Sequence, residues 1–180
     1  MKKILLTPGP LNCSLKVKNK MLIDVGSRDF NFVKTIKNIR NKLTNLSSSS
    51  INNKNYTSIL IPGSGTYAIE STLSSVVNKN DKLGLLINGA YGKRMQEIAN
   101  IHNINHECIY LPENKSFNGS HIKQFSSNIT HIAVVHCETT TGILNNINSI
   151  SKSLYGKNKT FIVDAMSSFG GIPIDMYDSD

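Results

Sequence analysis

Tryptophan is absent from this chain, cysteine occurs three times in 180 residues, and acidic residues are outnumbered 12 to 20 by basic ones. Each shortage closes off a class of protein. Cys13, Cys108 and Cys137 are widely spaced and odd in number, which excludes a disulfide framework and fits reduced thiols in a cytoplasmic protein. No apolar stretch approaches the roughly 18 residues that span a bilayer. The opening MKKILLTPGPLN has a basic tip, but a threonine and two prolines interrupt its short apolar run, so no signal peptide is expected. The shortage of acids leaves a net charge of +8. The lysines are dispersed, the arginines are Arg28, Arg40 and Arg94, and no aromatic-interleaved basic patch occurs. A solvated surface is expected, and no nucleic-acid partner. His102, His106, His121 and His131 have no metal-site spacing, so no metal is expected.

The sequence does have alternation. Residues 29–46 place Phe32, Ile36, Ile39 and Leu43 at helical spacing behind Asp29, a candidate N-cap. The polar tract NLSSSSINNKN follows as a loop. YTSILIP reads as a first strand, with YAIESTLSSVV as its helix. KLGLLIN reads as a second strand, closed by GAYG before the helix KRMQEIANIH. HECIYLP is a third strand, followed by a short helix opening at Ser120. THIAVVHC is a fourth strand with INSISKSLYGK as its helix, and KTFIVDA is a fifth. Near-continuous apolar strands alternating with helices predict an α/β fold, a mostly parallel sheet with helices on both faces. Ligands of such sheets sit beyond the carboxyl ends of the strands. The polar clusters Ser64–Thr66, Asn88–Tyr91, Glu138–Thr141 and Asp164–Ser168 all fall at such ends.

Gly63, Ser64, Gly65 and Thr66 stand between a strand and a helix, a setting for a phosphate on free helix-start amides or for a plain tight turn with a serine cap. The spacing is neither GxGxxG nor GK[ST], which disfavours NAD and ATP. Tyr91 suits stacking on a flat ligand or packing over the sheet edge. Arg94 suits an anion or solvent. His136 and Cys137 are strand neighbours whose side chains point to opposite faces, an awkward pair for one shared ligand. Asp164 ends a buried strand, which is costly unless a cation or several donors meet it. A protonated heterocyclic nitrogen is one such partner; an arginine or the amides of the next turn are others. A phosphate seat on one strand end and a carboxylate on another would hold a flat cofactor by both ends, and pyridoxal 5′-phosphate has that shape and those charges.

The segments LLTPGPLNCSLKVKNKMLIDVGSRDFNF, IPGSGTYAIESTLSS, INGAYGKRMQEIA, HIAVVHCETTTGILN and IVDAMSSFGGIPIDM together resemble the class V aminotransferases, pyridoxal-phosphate enzymes of fold type I. Within that group they are most similar to the 2-aminoethylphosphonate–pyruvate branch; alanine–glyoxylate transaminases share the scaffold. The resemblance implies that Ser64, Gly65 and Thr66 bind the cofactor phosphate and that Tyr91 stacks on the ring. It places Thr139 beside the ring oxygen and Asp164 on the pyridine nitrogen. On the substrate side it implies Thr7, Pro8 and Gly9, with Arg28 nearby. Residues 1–30 would form an N-terminal active-site segment and 31–180 part of the cofactor-binding large domain. The implied activity moves the amino group of 2-aminoethylphosphonate to pyruvate in a cytoplasmic homodimer. The lysine that carries the cofactor aldehyde is expected beyond Asp180, so no catalytic residue is expected in the chain itself. By itself the chain is then expected to be inactive, and an alternative role is that of a non-catalytic partner of a complete subunit.

Overall fold

The computed structural model describes residues 3–6, 9, 11–47 and 56–176. The chain divides into two compact units, Met1–Leu46 with Ser50–Leu60, and Ser47–Ser49 with Ile61–Asp180. The first unit contains helix α1, Leu15–Lys20, and helix α2, Phe30–Leu46. Helix α1 was not anticipated from the sequence; it starts at Ser14, whose hydroxyl accepts from the Val17 amide at 3.3 Å. The expected stripe on α2 is only half-buried at Phe32, Ile36 and Leu43. Asp29 does stand before this helix, but its carboxylate turns back to accept from the Gly26 amide at 2.8 Å instead of capping α2. Arg40 ties the following segment to the helix, donating from Nε to the Ser58 carbonyl at 2.7 Å and from Nη2 to the Thr57 hydroxyl at 2.6 Å.

The second unit is built on a four-stranded sheet. Its elements run α3 Gly65–Val76, β1 Leu83–Ile87, α4 Ala90–Ile101, β2 His106–Tyr110, a 3-10 helix Gly119–Gln124, β3 His131–Val135, α5 Ile147–Leu154 and β4 Thr160–Asp164. The strand order is β2-β1-β3-β4 and every pairing is parallel. Strand alternation sends Leu83, Leu85, Ile87, Ala133, Val135 and Ile162 to one face, where they pack with Leu73 of α3 and Met95, Ile98 and Ala99 of α4. Leu86, Ile132 and Val134 face the other way, onto Ile122, Ile147, Ile150 and Leu154. Both faces are covered, as parallel sheets require. Among the described residues no helix is long and apolar enough to cross a membrane.

Two expectations differ from this architecture. YTSILIP forms no strand: Ile59, Leu60 and Ile61 are 77%, 40% and 39% exposed. A strand needs a neighbour for its amides and carbonyls, and no strand among the described residues pairs with this run. The sheet therefore begins at Leu83. Helix α4 begins at Ala90, ahead of the expected start at Lys93, so Tyr91 lies inside its first turn. Gly92 allows this, because a Cβ there would stand 3.1 Å from the Ile87 Cα.

A buried amide pair joins the carboxyl ends of the two central strands. Asn88, just past β1, donates from Nδ2 to the Lys115 carbonyl at 2.8 Å and to Asn145 Oδ1 at 2.9 Å. Asn145 donates from Nδ2 to Asn88 Oδ1 at 3.0 Å and to the Val135 carbonyl at 2.8 Å. Its Oδ1 also accepts the Phe117 amide at 2.7 Å. Asn88, Asn145 and Phe117 are almost wholly buried, so each group here depends on its partners. Asn145→Ala is expected to lower unfolding free energy by about 3 kcal/mol, because it strands several buried donors and acceptors. Urea denaturation of the purified chain measures this; a loss below about 1 kcal/mol would contradict the assignment.

Candidate active site

The carboxyl end of β4 and the first two turns of α3 and α4 line a cleft of about 220 Å³. Ser64, Gly65, Thr66, Tyr91, Arg94, Asp164 and Met166 contribute to its wall. Five of the residues expected to hold a cofactor (Ser64, Gly65, Thr66, Tyr91 and Asp164) are thus brought into one cavity from three places in the chain.

One end of the cleft is electropositive. Helix α3 starts immediately after Ser64, whose hydroxyl oxygen accepts from the Tyr67 amide at 3.2 Å. Among the described residues, nothing accepts from the amides of Gly65 and Thr66. Two free amides at a helix start form an anion seat, reinforced by the helix dipole. Glycines flank Ser64 on both sides, and a side chain at either would crowd a neighbour. Gly63 has φ +154°, and a Cβ on it would lie 2.7 Å from the Tyr67 ring. A Cβ on Gly65 would stand 3.0 Å from Met166 Cγ and Sδ.

Asp164 supplies the opposite charge. It shares the α3–α4 face of the sheet with Ile162, two residues earlier. The residue is buried, with 9% of its surface exposed. Its Oδ1 accepts from the Met166 amide at 3.0 Å, and among the described residues no cation pairs with it. Burial raises its pKa above the usual carboxylate range, and the Met166 N–H offsets part of that rise. The turn after Asp164 is held from beneath: His136 Nδ1 and the Ser168 hydroxyl are 2.9 Å apart and buried, and the His136 amide donates to the Asp164 carbonyl at 2.8 Å. Burial lowers the His136 pKa, so the ring is a neutral structural group here. Cys137 is a half-buried free thiol, and its carbonyl accepts from the Ser167 hydroxyl.

Other expected residues lie outside the cleft wall. Thr139 is half-buried in the turn after β3, beyond the lining residues. Gly9 and Arg28 are exposed and belong to the first unit. Thr7 and Pro8 lie outside the described residues. Arg94 lines the cleft while pairing with Glu97 at 2.8 Å. Sequence reasoning placed Glu138 at a strand end without giving it a role. Yet it is fully buried, accepting from the Tyr91 and Gly92 amides at 3.2 and 2.9 Å. The available signal was Gly89: a Cβ there would stand 2.5 Å from Glu138 Cδ, but pairing the two positions requires the fold.

An anion seat and a buried carboxylate without a cation, facing one cavity beside an aromatic ring, fit a flat ring that carries a phosphate and a protonated nitrogen. Comparison with known proteins points the same way. Residues 15–180 match the family described as aminotransferase class-V. The 2-aminoethylphosphonate–pyruvate transaminase of Lysinibacillus sphaericus is 44% identical over 177 residues, covering 97% of this chain and 48% of that protein. That of Phocaeicola vulgatus is 44% identical over 178 residues, covering 96% of this chain and 48% of that protein. The chain therefore spans about half the length of the curated relatives it matches. Among solved structures, an alanine–glyoxylate aminotransferase from Nostoc superposes with a TM-score of 0.84 at 25% identity, over 95% of this chain and 45% of that one.

Two results are expected from the electrostatics. A carboxyl whose folded pKa is raised binds more protons folded than unfolded, so Asp164 costs stability as pH rises above its ordinary value of 3.8. Asp164→Asn removes that cost and should stabilise the ligand-free chain at neutral pH by roughly 1 kcal/mol. An unchanged or lowered thermal midpoint would contradict this reading. A histidine with a depressed folded pKa acts in the other direction: stability is lost as pH falls below its ordinary value of 6.5. Denaturation midpoints should therefore drop on acidification below that value, and His136→Gln should flatten the drop.

Proposed function

Because this chain belongs to the class-V aminotransferase family, we propose that the protein it contributes to is a pyridoxal-phosphate-dependent transaminase. It moves the amino group of 2-aminoethylphosphonate to pyruvate, giving phosphonoacetaldehyde and alanine. The substrate pair is supported by identity of 44% to transaminases of that name along nearly the whole chain. The observation that carries the cofactor is the buried Asp164, without a cation, in the cleft that also holds the free amides of Gly65 and Thr66.

When bound, pyridoxal phosphate supplies an electron sink for the carbon next to the transferred nitrogen. The chain's residues do the rest by position and charge. The Gly65 and Thr66 amides, with the hydroxyls of Ser64 and Thr66, seat the phosphate. Tyr91 covers one face of the ring and, with Met166, limits access of water. Asp164 holds a proton on the ring nitrogen, since a nearby positive charge favours the carboxylate form that burial disfavours. Thr139 serves the ring oxygen, while Thr7, Pro8, Gly9 and Arg28 serve the substrate side. Residues 1–30 act as an active-site segment and residues 31–180 as part of the cofactor-binding large domain, in a cytoplasmic homodimer.

Transamination also needs a base that moves a proton between substrate and cofactor. Among the described residues no lysine lines the cleft. Lys159 stands before β4, at the strand end opposite Asp164, and its Nζ donates to the Ile129 and Ser127 carbonyls. We assign the cofactor lysine to sequence outside the 180 residues.

The test is complementation. With cofactor, 2-aminoethylphosphonate and pyruvate, the chain alone should release no alanine. Mixed with the carboxyl-terminal half of the Lysinibacillus relative, it should release alanine and phosphonoacetaldehyde together. Turnover by the chain alone would overturn the lysine assignment. A complemented enzyme that uses alanine and glyoxylate but ignores the phosphonate would overturn the substrate, and one that is folded but inert toward every amine would favour a non-catalytic partner.

A further inference from the structure

Glu138 is wholly buried, yet no basic side chain among the described residues pairs with it. Its charge is met by the start of α4. Oε1 accepts from the Gly92 amide at 2.9 Å and Oε2 from the Tyr91 amide at 3.2 Å. A carboxylate across the first turn of a helix satisfies amides that have no intrahelical acceptor and opposes the positive end of the dipole. The backbone of Glu138 is equally fixed. Its amide donates to the Ile143 carbonyl at 3.0 Å, and its carbonyl accepts from the Gly142 and Thr141 amides at 2.7 and 3.3 Å. Gly142, at φ +73°, closes that turn in a conformation suited to glycine. One residue thus ties the turn after β3 to the helix that carries Tyr91 into the cleft. Gly89 leaves just the space this needs, because a Cβ there would meet Glu138 Cδ at 2.5 Å. The bond occupies amides of α4 that would otherwise be a second anion seat, leaving those of α3 as the free pair at the cleft.

We infer that Glu138 is a positioning residue for Tyr91: by gripping the Tyr91 and Gly92 amides it fixes where the Tyr91 ring covers the bound cofactor. This rests on the cofactor reading above. It assigns Glu138 no contact with substrate or cofactor, so the effect it predicts on the ligand passes through the Tyr91 ring, and the double variant separates that route from any through Arg94 or Met95 of the same helix. Glutamine in its place keeps the size and one acceptor oxygen but turns an NH2 toward one of the two amides, which breaks the two-bond grip.

A double-mutant cycle on the full 180-residue chain tests this, with pyridoxine 5′-phosphate as probe. Having no aldehyde, the probe cannot attach to surface lysines. Tyr91→Ala is expected to weaken binding about tenfold, the scale of a lost ring contact. Glu138→Gln should weaken it about fivefold and remove the induced circular dichroism of the bound ring, while Glu138→Gln placed on Tyr91→Ala should change affinity by less than about twofold. Gly89→Ala displaces the same carboxylate without altering its charge and should reproduce both the loss and the non-additivity, which keeps the test decisive if the Gln variant fails to fold. Multiplying losses in the double variant, or a Glu138→Gln chain that binds like the parent with its dichroism intact, would overturn the inference and leave the cofactor reading standing. A parent chain that does not bind the probe would sink the cofactor reading, and this inference with it.

Discussion

A carboxylate on a residue only 9% exposed, with no cation beside it among the described residues, makes the molecule less stable than it need be, and the architecture of the site is organised around that carboxylate. Among the described residues the Asp164 carboxylate accepts a single hydrogen bond, from the Met166 amide, where a carboxylate can accept several. The turn that carries it is braced by the buried His136–Ser168 contact and by the His136 amide on its own carbonyl. Such bracing keeps the side chain from swinging into water, where its charge would be cheaply solvated. The charge is therefore held for something that brings a positive group into the cleft.

Two helix starts point at that cleft, and they are treated differently. The first-turn amides of α4 are taken by Glu138, while those of Gly65 and Thr66 on α3 are left open. The asymmetry gives the cleft one anion seat and one cation seat. It also explains the clustering of small residues: Gly63, Gly65, Gly89 and Gly92 each stand where a Cβ would press on a neighbouring atom. The Asn88–Asn145 pair then locks the carboxyl ends of β1 and β3, the frame from which the adjacent turns project. The cost of the unpaired carboxylate is offset by these satisfied contacts around it, a balance in which function is retained against local stability.

Most of the sheet was legible because runs such as LGLLI and IAVV carry no polar side chain, as strands covered on both faces require. The cleft was legible because parallel sheets bind at their carboxyl ends, where Tyr91 and Asp164 fall; Ser64–Thr66 were legible as a glycine-flanked helix start, although the run before them forms no strand. The errors share a physical cause. SILIP has strand composition, but composition cannot supply a partner, and those side chains stand in the open. The start of α4 was set too late because glycine is a poor helix former in isolation; here Glu138, some 46 residues away in sequence, satisfies the first-turn amides. Glu138 and Asn145 escaped notice because their roles are made wholly of contacts between distant segments.

The protonation state of a bound ring nitrogen reads the central interaction most directly. With pyridoxine 5′-phosphate labelled with nitrogen-15 on the full chain, the ring nitrogen should give a protonated shift throughout the neutral range. In the Asp164→Asn chain it should lose that proton at lower pH. A nitrogen that titrates as it does in free solution, or identically in the two chains, would contradict the pairing of charges from which this account proceeds.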